Sequence, residues 1–204
     1  RSRYVPHPSS QHMGRVDMHL AIFSRFSLVT GERVALPGLS EGWLRRQFNL
    51  RRALQWVGLP VEGGVPIRLG NTHLSAFSRG DGTLGHQVAV LQSWMGEDTR
   101  WILAGDMNLL PPGDDAKRLG GGESSYADDP NPAVGLEPSR YDVARSGLLE
   151  ESERTYVPFG ASEPDRKIDY LLAGEGLELV EHEVLRSPMA LSDHLPIRAV
   201  FRVK

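Results

Sequence analysis

The sequence predicts a single layered α/β domain over residues 1–204, on three observations: several short runs carry alternating or continuous apolar residues, one segment places them at helical spacing, and no internal repeat occurs. At 204 residues the chain is long enough to build one substantial core. Its average composition excludes a disordered or fibrous protein.

After a loop-like start, VDMHLAIFSR from Val16 to Arg25 reads as a strand, and Leu28 to Pro37 as a looser, partly exposed continuation. EGWLRRQFNLRRALQWVGLPV is ambiguous between a basic amphipathic helix and an extended arm, with a strand expected in its second half. Glu62, Gly63 and Gly64 then make a tight-turn signal before VPIRLGNTHL, which predicts an antiparallel hairpin ending near His73. In TLGHQVAVLQSWM, Leu84, Val88, Leu91 and Met95 recur at helical spacing, with Thr83 as the expected amino-terminal cap. WILAGDMN reads as a short buried strand whose polar end emerges at Asp106. The adjacent prolines of LLPPGDD stop it, because they remove backbone donors. Residues 111 to 166 predict long surface connections with small helices, anchored by Tyr126, Tyr141, Leu148, Leu149, Tyr156 and Phe159. Periodic pattern returns in KIDYLLAG, GLELVEHEVL and HLPIRAVFRV.

The 23 basic and 26 acidic side chains give a formal charge of -3, so a nucleic-acid role requires a local basic surface or bound cations. The absence of cysteine excludes disulfides, thiolate chemistry and zinc-thiolate sites, leaving oxygen and imidazole as metal ligands. No apolar run is long enough for a transmembrane segment, and RSRYVPHPSS lacks the hydrophobic stretch of a secretory signal. A cytoplasmic location and secretion with the signal removed both stay open.

Three motifs carry chemistry. In GDMN, Asp106 and Asn108 share a face only while the backbone stays extended. There Asp106 could bind a divalent cation or orient water, and Asn108 could donate to a phosphoryl oxygen without adding negative charge. The competing reading is a loop whose Asp and Asn cap their own backbone. In SDHLPI, Asp193 and His194 diverge along an extended stretch, so Asp193 could face a metal while His194 transfers a proton once another group fixes its tautomer. Asp169 of RKIDYLL is the expected partner of that imidazole. His73, after Asn71 and Thr72, could donate to a phosphate oxygen. Asn71, Arg25 and Arg79 are candidate substrate contacts. The run Arg45, Arg46, Arg51 and Arg52 reads first as a solvated face, and the acidic pairs Asp114/Asp115 and Asp128/Asp129 as surface loops.

Taken in order, AIFSR (21–25), NTHL (71–74), GDMN, KIDYLL and SDHLPI resemble the endonuclease/exonuclease/phosphatase superfamily across nearly the whole chain. The resemblance implies a DNase I-like four-layer α/β sandwich, two packed sheets flanked by helices with the site at one end of the sheets. It implies catalytic roles for His73, Asp106, Asn108, Asp169 and His194, and a Mg2+ or Mn2+ ion associated with Asp106 and Asp193. The implied reaction is attack of water on phosphorus, the metal offsetting phosphate charge. The departure lies at the amino terminus, where the family's asparagine-bearing strand and glutamate-bearing strand are not recognisable before VDMHLAIFSR. The expectation is therefore an amino-terminally truncated domain whose open sheet is covered by an amino-terminal fragment or a homo-oligomer partner. The function expected first is a divalent-metal-dependent phosphodiester hydrolase of nuclease type, with a phosphodiester substrate, nucleic acid among the candidates, as its partner. The alternatives are a phosphatase or sphingomyelinase-like phosphoesterase acting on a small or lipid substrate, and a catalytically impaired phosphate-binding or partner protein.

Overall fold

The computed structural model describes residues 3–6, 13–16, 19–38, 50–62, 64–76, 81–119, 126, 130–186 and 191–204. Arg3–Pro6 (β1) and Met13–Val16 (β2) pair antiparallel as a small two-stranded sheet. Val29–Ala35 (β3), Ala53–Leu59 (β4), Ile67–His73 (β5), Trp101–Asp106 (β6) and Asp169–Ala173 (β7) form a five-stranded sheet in that order. The β5–β6 pair is parallel and the other three pairs are antiparallel. Leu177–Val184 (β8) and Ile197–Val203 (β9) make a separate antiparallel ribbon.

The parallel pair needs a crossover, and helix Thr83–Met95 (α1) supplies it. The helical stripe Leu84, Val88, Leu91 and Met95 packs into one cluster with Leu54 of β4, Trp101 and Leu103 of β6, and Tyr170 and Leu172 of β7, alternate residues within the latter two strands. Burial of each such side chain contributes about 1.5–3 kcal/mol. Between β6 and β7 the described residues run through short 3-10 turns and one four-residue helix, Pro138–Tyr141 (α2). Among the described residues no helix is long and apolar enough to cross a membrane.

Several expectations change here. The strand expected from Val16 to Arg25 ends at Val16, and residues 19–28 are irregular. Side chains supply partners there in place of a ladder: Phe26 N donates to Ser24 Oγ at 2.9 Å, and the carbonyl of Ala21 accepts from the distant Asn71 Nδ2 at 3.0 Å. Thr83 is not the helix cap; Gly82 holds that position with φ 77°, and Asp81 Oδ1 accepts from Thr83 N at 2.8 Å. Thr83 is instead buried in the first turn. Of the expected loop anchors, Leu148 is buried, whereas Leu149 and Phe159 are exposed. The first half of EGWLRRQFNLRRALQWVGLPV, with Arg45 and Arg46, lies outside the described residues, as do Arg79 and the pair Asp128/Asp129.

Candidate active site

The strand register builds the first half of the site. His73 pairs with Asp106 across β5 and β6, and Asp106 pairs with Asp169 across β6 and β7. Residues directly opposite in neighbouring strands share a face, so one imidazole and two carboxylates line up at the end of the sheet. His73 Nε2 lies 3.2 Å from Asp106 Oδ2. Gly105 makes this approach possible: a Cβ there would sit 1.9 Å from the carbonyl oxygen of Thr72, at φ 147°.

Beyond Asp106 the backbone turns rather than staying extended. Asn108 has φ 50°, and its N–H donates to Asp106 Oδ1 at 2.9 Å. Its carboxamide nitrogen lies 3.1 Å from the carbonyl of Leu74 and 3.3 Å from Asp106 Oδ2. The two side chains therefore meet through a turn that the aspartate itself closes, which corrects the extended arrangement expected from spacing. A phosphoryl oxygen would have to displace the longer of the two amide contacts to receive a hydrogen bond from Asn108.

His194 enters from a different part of the chain. Residues 153–157 stitch two segments together: Thr155 Oγ1 accepts from Ile168 N and Asp169 N at 3.2 Å each, Thr155 O accepts from Leu195 N at 2.7 Å, and Val157 N donates to Asp193 O at 2.8 Å. His194 is thereby bracketed on both sides. Its Nδ1 lies 2.8 Å from Asp169 Oδ2, its Nε2 is 3.9 Å from Asp106 Oδ2, and the ring of Tyr156 meets it edge-on at 5.1 Å. A carboxylate at Nδ1 fixes the proton on that nitrogen and aims Nε2 at the open side of the cluster.

Electrostatics separate the roles. Burial, followed by the neighbouring Asp169 carboxylate, pushes Asp106 up from the ordinary carboxylate range to about 6. Burial and then the Arg52 charge depress His73 to about 4, so it is neutral near pH 7 and its Nε2–H donates to Asp106. The hydrogen bond to Asp169 raises His194 above the ordinary imidazole value despite its partial burial. Arg52 belongs to this field, because its charge acts on both His73 and Asp106. In the sequence it was hidden inside a basic run that reads as a solvated face; its place immediately before β4 was the available signal. Tyr156 reads as a loop anchor in the sequence, and nothing in its local pattern marks it as a neighbour of His194.

The remaining candidates are not drawn into the cluster. Asn71 spends its amide on Ala21 O. Arg25 is exposed, with its guanidinium 5.0 Å from the ring of Phe26. Asp193 is exposed, and Asp169 stands in the cluster where Asp193 was expected. The chain bends at Asp193, where His194 N donates to Ser192 Oγ at 3.0 Å, and the Thr155 and Val157 contacts hold the backbone so that His194 is half-buried while Asp193 stays exposed.

Asp106, Asp169 and His194 each offer one ligand atom, all within 4.8 Å of one another. The two half-buried carboxylates are hard oxygen donors of the kind Mg2+ and Mn2+ prefer, and the imidazole beside them is a borderline nitrogen donor. After burial, the Asp169 charge adds to the upward push on Asp106, and a cation held between the two carboxylates would relieve that part of it.

The profile of the Endonuclease/Exonuclease/phosphatase family matches residues 4–194, and the chain belongs to this family. Its members are phosphoesterases. Among solved structures, an endonuclease/exonuclease/phosphatase from Beutenbergia cavernae is similar with a TM-score of 0.64 and 20% identity, over 99% of this chain and 52% of that one. A mannosyl-6-phosphatase from Bacteroides thetaiotaomicron gives a TM-score of 0.57 and 18% identity, over 87% of this chain and 67% of that one. TDP2 of D. rerio, complexed with single strand DNA product, gives 0.55 and 17%, over 86% of this chain and 68% of that one. At these identities the likeness shows the DNase I-like α/β fold. The chain spans about half the length of the Beutenbergia cavernae structure it matches. No curated protein matches the sequence significantly. The expected amino-terminal fragment or oligomer partner has no support in these comparisons.

Proposed function

We propose that this chain is a divalent-metal-dependent phosphodiester hydrolase, nuclease-like in its chemistry. The observation that carries the reading is the convergence of His73, Asp106, Asp169 and His194 from three strand ends and one strapped loop onto a single half-buried cluster. In this reading Asp106, once ionised, orients the attacking water and accepts its proton. When substrate binds, the single N–H of the neutral His73 turns from Asp106 to a phosphoryl oxygen, and Asn108 holds the Asp106 carboxylate through the closed turn. Asp169 keeps the His194 proton on Nδ1 and stabilises the imidazolium, and His194 Nε2 faces the reacting phosphate. The carboxylates of Asp106 and Asp169 would hold Mg2+ or Mn2+, which when bound offsets phosphate charge and favours departure of the leaving oxygen.

A second reading, phosphatase action on a small substrate, is favoured by the formal charge of -3, which gives the whole fold no pull on a long polyanion. Both are tested together by assaying bis(p-nitrophenyl) phosphate, p-nitrophenyl phosphate and a single-stranded oligonucleotide with Mg2+ and Mn2+. Metal-dependent turnover that falls about a hundredfold or more in Asp106→Ala and His194→Ala is expected. Absence of turnover on all three substrates in a folded preparation overturns the proposal and favours a phosphate-binding protein.

A further inference from the structure

We propose that Lys167 is a positioning residue of this site: buried between two carboxylates, it locks together the two supports that hold Asp169 against His194. The inference deepens the phosphoester reading and rests on it for its functional meaning.

Lys167 is 1% exposed, its ammonium 3.4 Å from Asp142 Oδ1 and 3.9 Å from Glu153 Oε2, and 5.2 Å from the centre of the Tyr170 ring. A cation removed from water this completely is costly unless the surrounding carboxylates and ring offset it. The chemistry described above makes no use of it. What it touches explains its position.

Asp142 is also fully buried, and it clamps one side of β7. Its Oδ2 accepts from Leu171 N at 3.2 Å, its Oδ1 accepts from Ala144 N at 2.9 Å, and Val143 N donates to Leu171 O at 3.0 Å. Glu153 opens the 153–157 strap on the other side. Its second oxygen meets His182 Nε2 at 3.0 Å, which ties the β8–β9 ribbon to the same group. Thr155, two residues on, binds the N–H of Asp169 and receives Leu195 N. The Asp142 clamp thus sets where β7 lies, and the Glu153 strap sets where His194 lies relative to it. Lys167 is the shared counter-charge of both.

Without that ammonium, two carboxylates would face one another in a dry interior. The cheapest relief is movement of the strap away from β7, and this lengthens the Asp169–His194 contact. Lys167 does not reach the reacting phosphate, so its removal acts on turnover rather than on substrate affinity.

The test uses two readouts on Lys167→Met, which keeps the length of the side chain and removes the charge. Long-range 1H–15N spectra of the imidazoles, recorded above the His194 titration, are expected to show His194 protonated on Nδ1 in the parent and as mixed tautomers in the variant. Turnover is expected to fall about ten- to a hundredfold with KM changed less than about twofold, and Lys167→Arg to recover part of the loss. In an Asp169→Asn background the same substitution is expected to lower turnover less than about twofold, because the contact it protects is already weakened. Retention of the Nδ1–H signature in folded Lys167→Met, or an equal loss in both backgrounds, overturns the proposal. If Lys167→Met does not fold, Lys167→Gln, which also removes the charge but leaves both carboxylates and supplies polar atoms to them, is judged by the same imidazole spectrum. A parent without turnover counts against the phosphoester reading alone, since the spectrum reports on Lys167 independently.

Discussion

Gly105→Ala is the perturbation whose consequence follows most directly from the coordinates. The added Cβ would lie 1.9 Å from Thr72 O and 2.9 Å from the Thr72 carbonyl carbon. Real Cβ atoms essentially never approach closer than 3.0 Å, so one strand must retreat from the other by about 1.1 Å. A hydrogen bond tolerates only about 0.5 Å of stretch. The retreat therefore breaks the β5–β6 pairing around Thr72, at about 1 kcal/mol for each of two bonds, with more for the backbone groups left dry. Alanine at φ 147° adds about 1–2 kcal/mol of steric cost. The total is about 3–5 kcal/mol, which for a domain of this size lowers the thermal midpoint by about 10 °C. Circular dichroism melts of parent and variant measure it. Because Asp106 is the next residue, turnover should also fall about a hundredfold in protein still folded at the assay temperature. A variant melting within about 2 °C of the parent refutes the close approach of the two strands and, with it, the register that pairs His73 with Asp106.

Three further outcomes are expected. Asp106, pushed up to about 6, must lose its proton before it ligates a cation; its ionised fraction falls about tenfold between pH 7 and pH 5. Calorimetric Mn2+ affinity should weaken by about that factor over the interval, and the part due to this group should vanish in Asp106→Asn. Arg52→Gln removes a charge that lowers both His73 and Asp106, so NMR titration should show both groups moving upward, with weaker competitive inhibition by inorganic phosphate. Phe159→Ser changes a fully exposed side chain at the end of a loop and should shift stability by no more than about 0.5 kcal/mol in a denaturant titration.

The parts of the fold that could be read in advance are those where local period and tertiary environment agree. TLGHQVAVLQSWM forms a helix because its apolar stripe meets the buried row of the sheet, and the Glu62 region turns because Gly64 N can close on Val61 O at 3.3 Å. Residues 19–25 mislead because their apolar pattern suits a strand while their polar atoms find partners in Ser24 and Asn71. The site divides in the same way. Asp106, Asp169, His73 and His194 stand at ends of periodic segments, where a polar residue interrupts an apolar run and draws notice. Arg52 and Lys167 carry no such mark, since each sits among other charged residues and its partners lie far away along the chain. Asp142 and Glu153 come from the irregular middle region, and no spacing rule connects them to Lys167.

The strap formed by residues 153–157 has a consequence for how activity fails under stress. His73 and Asp106 are joined through the ladder between β5 and β6, protected by the packed helix, whereas His194 is held by its bond to Asp169 and by hydrogen bonds to one short irregular segment. Although Thr155, Val157 and Leu195 are buried, an irregular segment outside the main ladder opens at lower free energy than the ladder it rests on. Mild denaturant should therefore release His194 while the sheet remains intact, so that catalysis is lost ahead of the far-ultraviolet signal. Amide exchange at Thr155 and Val157 would follow the loss of catalysis, and exchange at Thr72 and Ala104 the loss of the fold.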